Sequence, residues 1–289
     1  MEISNLTLIN FRNFSQANFN FDQNLTVLVG PNGVGKTNLA ESLFLLSTGS
    51  TWRAGTDADL VKFGENFAQI TARINFGQDK FTSQIQILGK PAVKKFLTNG
   101  LSKRMSDFLG RFVLILFSPE EIDLVAGTPA GRRKHLDFFL SNLDRNYHQN
   151  LVSFEKVLRN RNKLLIKISQ GVGKLSELEF WDNNLVNLGN ILHAAREVFF
   201  DFLEAGPNFK FKFLKSHLDR QILVKNRQKE LILGMTLSGP HRDDFIFELD
   251  GRNLTFFGSR GEARLAVLAL KLVELEFAQK KLAENRFYS

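Results

Sequence analysis

Gly30-Pro31-Asn32-Gly33-Val34-Gly35-Lys36-Thr37 is the stretch whose reading decides the fold. It has the form G-x-x-x-x-G-K-[ST], and its flanks suit that form. Leu25-Thr26-Val27-Leu28-Val29 before it reads as a buried strand, and Leu39, Ala40, Leu43, Phe44 and Leu46 after it recur at helical spacing. Gly30, Gly33 and Gly35 let successive backbone N–H groups converge on phosphate oxygens, with Pro31, Asn32 and Val34 completing the loop. The start of the following helix adds its partial positive charge. Lys36 supplies a point charge to the β- and γ-phosphates, and Thr37 a hydroxyl ligand for Mg²⁺. The string predicts a nucleoside triphosphate site.

Working outward, Ile3, Leu6 and Leu8 suggest an opening strand, and Ala17, Phe19 and Phe21 a second. Ile70 to Phe76 and Phe81 to Ile87 alternate about Gly77-Gln78-Asp79-Lys80, as a hairpin does, and Asn99-Gly100 marks another tight turn. Val113-Leu114-Ile115-Leu116-Phe117 is a continuous apolar run, read as a strand buried on both faces. Beyond Pro119 the period becomes helical. Tyr147, Leu151, Phe154, Leu158, Leu165 and Ile168 fall on three- and four-residue steps, with Arg161 filling one position. Leu178, Trp181, Leu185, Leu188, Leu192, Ala195, Phe199 and Phe202 repeat the steps after a Gly171-Val172-Gly173 connector. Two such seams predict an antiparallel helical arm with helices about 40 Å long; the second reading is two helices folded into the main core, since the seam could equally face a sheet. Strands return with Phe245, Phe247 and Leu249, an Asp250-Gly251 turn and Leu254 to Phe257, before an apolar helix.

Lys and Arg outnumber Asp and Glu by 38 to 30 and the pI is about 9.7, which favours a polyanionic partner. The chain has no cysteine, which excludes disulfides and thiolate zinc sites. No secretory signal and no bilayer-length apolar run is visible, so no membrane association and a cytoplasmic location are expected.

Ser259-Arg260-Gly261-Glu262 places a hydroxyl, a glycine and a helix start together, again the chemistry of a phosphate site. By itself the same string is also an ordinary capping box. With its companions it is more specific. The chain resembles the RecF family of bacterial DNA replication and repair ATPases, related to the heads of Rad50 and SMC proteins, over nearly its whole length. The resemblance rests on Gly30 to Thr37 and Thr51-Trp52-Arg53, and on Phe117-Ser118-Pro119-Glu120-Glu121 with Gly127, Pro129, Arg132 and Arg133. It continues through Gly239-Pro240-His241-Arg242-Asp243-Asp244 and Ser259 to Arg264 with Leu268-Ala269-Leu270-Lys271-Leu272.

The resemblance implies an α/β phosphate-loop NTPase head of the ABC/SMC/Rad50 type with an inserted helical arm. Residues 1–118 would carry the first part of the head, 119–231 the arm, and 232–289 the second part with the signature segment. It implies an ATP-dependent homodimer, with ATP and Mg²⁺ held between the loop of one subunit and the signature of the other. Lys36 and Thr37 would bind in cis, Ser259, Arg260, Gly261 and Glu262 in trans, and Arg53 near the phosphates. It further implies binding of single-stranded DNA and single-strand/duplex junctions, work with RecO and RecR, help in loading RecA at gaps, and a part in the SOS response. Past the signature helix the family continues into an apolar strand ending in paired aspartates that hold Mg²⁺ and activate water. This chain ends at Glu284-Asn285-Arg286-Phe287-Tyr288-Ser289, short of that strand, so it is expected to bind ATP with negligible turnover. Glu120-Glu121 and Glu248-Leu249-Asp250 imitate the acidic segments but precede the signature, outside the expected order.

His241, Asp243 and Asp244 are acceptable metal ligands, though Pro240 makes a structural turn the stronger reading. Three basic clusters are DNA candidates: Lys94, Lys95, Lys103 and Arg104; Arg132, Arg133 and Lys134; and Lys210 through Lys229. Alternation of Lys210 and Lys212 with Phe209, Phe211 and Phe213 suits a half-buried strand better than a base-stacking platform. Two alternatives stand beside the DNA-repair reading: the ATPase subunit of a membrane transporter, and an inert fragment. A transporter signature usually carries a Gly-Gly pair, which Ser259-Arg260-Gly261-Glu262 lacks.

Overall fold

A computed structural model describes residues 2–22, 25–53, 55–77, 79–89, 91–110, 112–203 and 209–286. Gln78 of the expected hairpin turn, and Phe287, Tyr288 and Ser289, lie outside the described residues. The chain divides into two compact units, Met1–Leu114 and Ile115–Ser289, the second holding both the stretch expected as the arm and the stretch expected to carry the signature.

In the first unit, β1 (Glu2–Phe11), β2 (Phe14–Asn20), β3 (Phe67–Phe76), β4 (Asp79–Leu88), β5 (Val93–Thr98) and β6 (Leu101–Lys103) form one antiparallel sheet. Its order is β2-β1-β3-β4-β5-β6. The register sets Leu6 opposite Ala72, Leu8 opposite Ile70, and Ile70 opposite Ile85, so the alternating apolar positions meet on one face. Helix α1 (Lys36–Thr48) lays Leu39, Leu45 and Leu46 into that same core, and α2 (Met105–Phe108) adds Phe108. Each fully buried Leu or Ile here is worth about 1.5–3 kcal/mol, so this cluster fixes where α1 starts relative to the sheet. The β5–β6 turn at Asn99-Gly100 has φ of 50° and 75°, the left-handed pair that a two-residue hairpin needs.

Two strand expectations are corrected. Leu25–Val29 joins no ladder, and Leu25, Val27 and Val29 are 74%, 70% and 89% exposed. Val113–Phe117 likewise joins no ladder, and its residues are half-buried with Phe117 exposed. Apolar composition signals a strand, but a strand exists only when a neighbour completes its hydrogen bonds. Among the described residues no segment pairs with either run.

The second unit contains α3 (Asp123–Ala126), α4 (Pro129–Leu143), α5 (Arg145–Ser169), α6 (Leu178–Leu203), β7 (Lys210–Leu214), α7 (Arg220–Leu233), β8 (Asp244–Leu249), β9 (Arg252–Asn253), α8 (Leu254–Phe257) and α9 (Arg260–Arg286). Thr128 caps α4 by accepting from the Gly131 N–H, and Asp144 caps α5 by accepting from Asn146. Helices α5 and α6 run antiparallel, because Tyr147 meets Arg196, Arg161 meets Asp182, and Leu164 and Leu165 pack with Leu178. Their 25 and 26 residues make each about 38 Å long. The predicted seam is buried at Phe154, Leu165, Leu185, Leu192 and Phe199. Arg161, the odd residue in it, donates to Asp182 at 2.8 Å, Glu230 at 2.7 Å and Thr236 at 2.7 Å, tying α7 to the helix pair. Gly189 lets α6 approach the chain at Leu218, whose side chain lies 2.5 Å from where a Cβ would stand.

Strands β7, β8 and β9 form a second antiparallel sheet. Phe211 is buried against Phe247 while Lys210 and Lys212 point out, as half-burial predicts. The expected return strand is corrected: only Arg252–Asn253 pairs, and Leu254–Phe257 is one helical turn capped by Asn253, which accepts from Thr255 N–H. The Asn253 side chain, by accepting from the Thr255 N–H, competes with continuation of the β8–β9 ladder.

Candidate nucleotide site

The loop ends in Gly35, which has φ 111° and is the N-cap of α1. Any Cβ there would sit 2.6 Å from the Phe14 ring and 2.8 Å from the Asn13 amide, so the position needs glycine both for its φ and for the space. No side chain caps α1 and its first turn holds no acidic residue. The helix N-terminus therefore offers bare N–H groups and a positive dipole end, a site for an anion. Lys36 Nζ lies over the same loop, donating to the Gly30 carbonyl at 2.6 Å and the Pro31 carbonyl at 2.8 Å. Thr37, the expected Mg²⁺ ligand, is exposed in the first turn.

A polar relay extends from the loop. Asn13 donates to the Val34 carbonyl at 3.0 Å, Asn38 donates to Asn13 Oδ1 at 2.8 Å, and Arg53 donates to Asn38 Oδ1 at 2.9 Å. Arg53 thus bonds Asn38, the residue that follows Thr37 on α1. Behind it Glu41, fully buried, accepts a bidentate pair from Arg12 at 2.9 and 2.7 Å and a bond from Thr51 at 2.5 Å, with Arg53 3.7 Å away. One buried carboxylate so orients two guanidinium groups. Arg12 sits at φ 51° in the two-residue β1–β2 turn, a strained conformation for a side-chain-bearing residue, held by its bonds to Glu41 and to the Asp59 carbonyl. A cavity of about 860 Å³ opens beside this relay, lined among others by Arg12, Asn13, Asn38, Arg53, Phe63 and Asn66. The sequence reading missed Arg12, Asn13, Asn38, Glu41 and Phe63. Its available signal was an Arg-Asn pair placed at the tip of a hairpin between two alternating strands.

In the second unit Ser259 and Glu262 form the capping box of α9. Ser259 Oγ accepts from Glu262 N–H at 3.2 Å, and Ser259 N–H donates to Glu262 Oε2 at 2.7 Å. The Ser259 backbone N–H first, and then the Ser259 side chain, hold the Glu262 carboxyl below its ordinary pKa. Ser259, Arg260 and Gly261 are exposed at the head of the helix. Deeper in α9, Lys271 bonds Glu121 at 2.7 Å and Glu274 at 3.2 Å, and Glu274 meets His135 at 2.5 Å. Burial raises the Glu274 pKa, but His135 and Lys271 outweigh it and the net shift is downward. Glu121 also closes the Ser118 cap, so this carboxylate is committed to structure.

His241, Asp243 and Asp244 form a structural turn, the 3-10 helix Pro240–Arg242 leading into β8. Asp243 accepts from Arg196 at 2.7 Å and from Ser216 N–H at 2.7 Å, and Asp244 takes a bidentate pair from Arg132 at 2.7 and 2.9 Å. Among the described residues no group of three potential metal-ligating side chains occurs. Burial drives the His241 pKa down to about 4. The basic clusters are thinned by the same pairing: Arg132 is committed to Asp244, Lys94 to Asp57, and Arg227 to Asp182. Lys95, Arg104, Lys134, Lys212, Lys225 and Lys229 stay exposed.

The AAA domain family matches residues 5–284. The DNA replication and repair protein RecF of Clostridium kluyveri is 31% identical over 306 residues, which cover 98% of this chain and 83% of that protein. The RecF of Leptospira interrogans serovar Lai is 33% identical, with 96% and 80% covered. The chain belongs to the RecF family. A solved structure of the recombination mediator protein RecF with ATP, from the RecFOR pathway, matches at a TM-score of 0.88 and 28% identity, over 97% of this chain and 82% of that one. The fold is thus the mixed α/β phosphate-loop ATPase class of the ABC/SMC type, and the protein is a RecF-like DNA replication and repair protein. The RecF relatives stand against the transporter alternative. Among the described residues no helix is long and apolar enough to cross a membrane.

Proposed function

We propose that this member of the RecF family is an ATP-switched DNA-binding protein. The observation that carries the reading is the uncapped, acid-free N-terminus of α1, set behind left-handed Gly33 and Gly35 with Lys36 folded over the loop. Those donors fit a triphosphate. Lys36 takes its charge, the loop N–H groups its oxygens, and Arg53 lies within reach of the same helix end. The Thr37 hydroxyl is the ligand for Mg²⁺, which would neutralise phosphate charge when bound. In a homodimer, the exposed Ser259, Arg260 and Gly261 and the half-buried Glu262 of one subunit close on the γ-phosphate held by the other. Because ATP then binds the closed dimer better than the open form, it shifts the population toward the DNA-binding state. The polyanion is single-stranded DNA or a single-strand/duplex junction, gripped through exposed lysines and arginines. RecO and RecR are the partners and RecA loading at gaps, within the SOS response, the outcome. The test is fluorescence anisotropy of labelled junction DNA with and without ATP, for the parent and Lys36→Ala. Equal DNA affinity in all four conditions would refute the switch.

A further inference from the structure

The end of the α5–α6 hairpin shows aliphatic side chains that the fold does not bury. Inside it, Leu164, Leu165 and Leu178 form a buried cluster, with Leu231 of α7 packed against them. Outside the same turns, Ile166, Val172, Leu175, Ile232 and Leu233 are between 44% and 78% exposed. They gather at one place. A Cβ at Gly234 would stand 2.7 Å from Ile166 Cγ1, so the end of α7, carrying Ile232 and Leu233, lies beside Ile166. Val172 N–H donates to the Lys167 carbonyl at 2.9 Å, folding the connector back over the end of α5. Leu175 stands in the turn just before α6. Single exposed apolar side chains are ordinary, but a contiguous set with a polar rim marks an interaction surface.

The rim is cationic. Lys163 lies one turn before Ile166 on α5 and Lys167 directly after it, Lys174 precedes Leu175, and Lys229 lies one turn before Ile232 on α7. All four lysines are exposed, and among the described residues no ion pair engages any of them. The nearby carboxylates are committed. Glu177 accepts from the Lys174 N–H at 2.9 Å, Glu179 pairs with Arg220 at 3.1 Å, and Glu230 is buried against Arg161.

We propose that this end of the hairpin is a docking surface for an acidic amphipathic segment of another protein. The segment's aliphatic side chains cover the exposed patch, and its carboxylates meet the four lysines. Charge complementarity selects this occupant over others. A second copy would bring two lysine rims together, and like charges facing across an interface repel. A nucleic acid would use the lysines but leave the aliphatic side chains wet, since bases stack on rings. A membrane surface takes an apolar stripe along a helix, whereas the exposed residues of α5 before Lys163 include Glu155, Lys156 and Arg159.

The test selects short random peptides displayed on phage against the whole chain, with Ile232→Asp/Leu233→Asp as the counter-target. Enriched peptides are then titrated by fluorescence anisotropy. They should carry Asp or Glu beside Leu or Ile at three- and four-residue spacing. They should bind the double variant roughly tenfold or more weakly than the parent, and lose a similar factor with Lys163→Glu/Lys167→Glu. The lysine pair, wholly at the surface, keeps the test valid should the first variant fold poorly. The absence of any peptide that distinguishes the parent from both variants overturns the proposal, as does enrichment of peptides without acidic residues. Ile232-dependent binding of phosphatidylserine vesicles or of oligothymidylate in place of acidic peptides would also overturn it, assigning the patch to lipid or to nucleic acid.

Discussion

Replacing Lys36 by Ala should separate nucleotide affinity from fold stability. In the structure Lys36 Nζ makes two bonds, to the Gly30 and Pro31 carbonyls, at the exposed surface of the loop. Those carbonyls can turn to water, so the substitution should cost the nucleotide-free protein less than about 1 kcal/mol. The loss toward ATP is larger, because a charge-assisted contact to phosphate is worth about 1.5–3 kcal/mol, or at least tenfold in affinity. Linkage turns this into a thermal readout. At an ATP concentration a hundred times the parental Kd, binding stabilises the parent by about 2.7 kcal/mol. A tenfold weaker variant at that concentration gains about 1.4 kcal/mol, and a hundredfold weaker one about 0.4 kcal/mol. Differential scanning calorimetry with and without MgATP should therefore show nearly equal Tm values for the two proteins alone, and a nucleotide-induced rise in the variant at most half the parent's. The same rise in both would mean that the loop is not the phosphate site. A large drop in Tm without nucleotide would mean that Lys36 is structural.

DNA binding should be backbone-dominated, with affinity for a junction falling by orders of magnitude between about 50 and 200 mM salt; a flat titration would remove the exposed lysines from the interface. Arg161→Ala should destabilise the second unit by about 3–5 kcal/mol, since it strands buried Glu230 without its cation and leaves Asp182 with Arg227 alone, read as a shift in urea midpoint. His241 should make stability fall in mild acid. Its folded pKa of about 4 lies below the ordinary 6.5, so the unfolded chain takes the proton first as pH drops. That contribution is complete above about pH 6.5 and is lost toward pH 4 at about 1.4 kcal/mol per pH unit. Urea denaturation at pH 7 and pH 5 should show the parent losing about 2 kcal/mol more than His241→Gln over that interval, and equal losses would place the sensitivity elsewhere.

The glycines and lysine of the loop were legible because their chemistry is local: turn, donors and helix start lie within eight consecutive residues. The alternation of β1, β3 and β4 and the matched seams of α5 and α6 were legible for the same reason, since periods of two and about three and a half reflect which face is buried. RecF kinship was legible in several separated motifs together. What the sequence could not show is pairing. Leu25–Val29 and Val113–Phe117 carry strand composition, yet a ladder depends on a neighbour, and among the described residues none pairs with them. Leu254–Phe257 failed likewise, its backbone taken by the Asn253 cap. In the sequence Arg161 was an odd residue in a seam, Arg132 a DNA candidate, and Asp243 a turn residue that could also ligate a metal. Only the tertiary structure brings them to Glu230, Asp244 and Arg196, at sequence separations of 69, 112 and 47 residues. Burial forces such charges to pair, and which partner each finds is a property of the folded chain. The relay from Asn13 to Arg53 and the exposed ring of Phe63 belong to this second kind, because only the folded first unit sets a hairpin tip, a helix start and a pinned turn around one cavity.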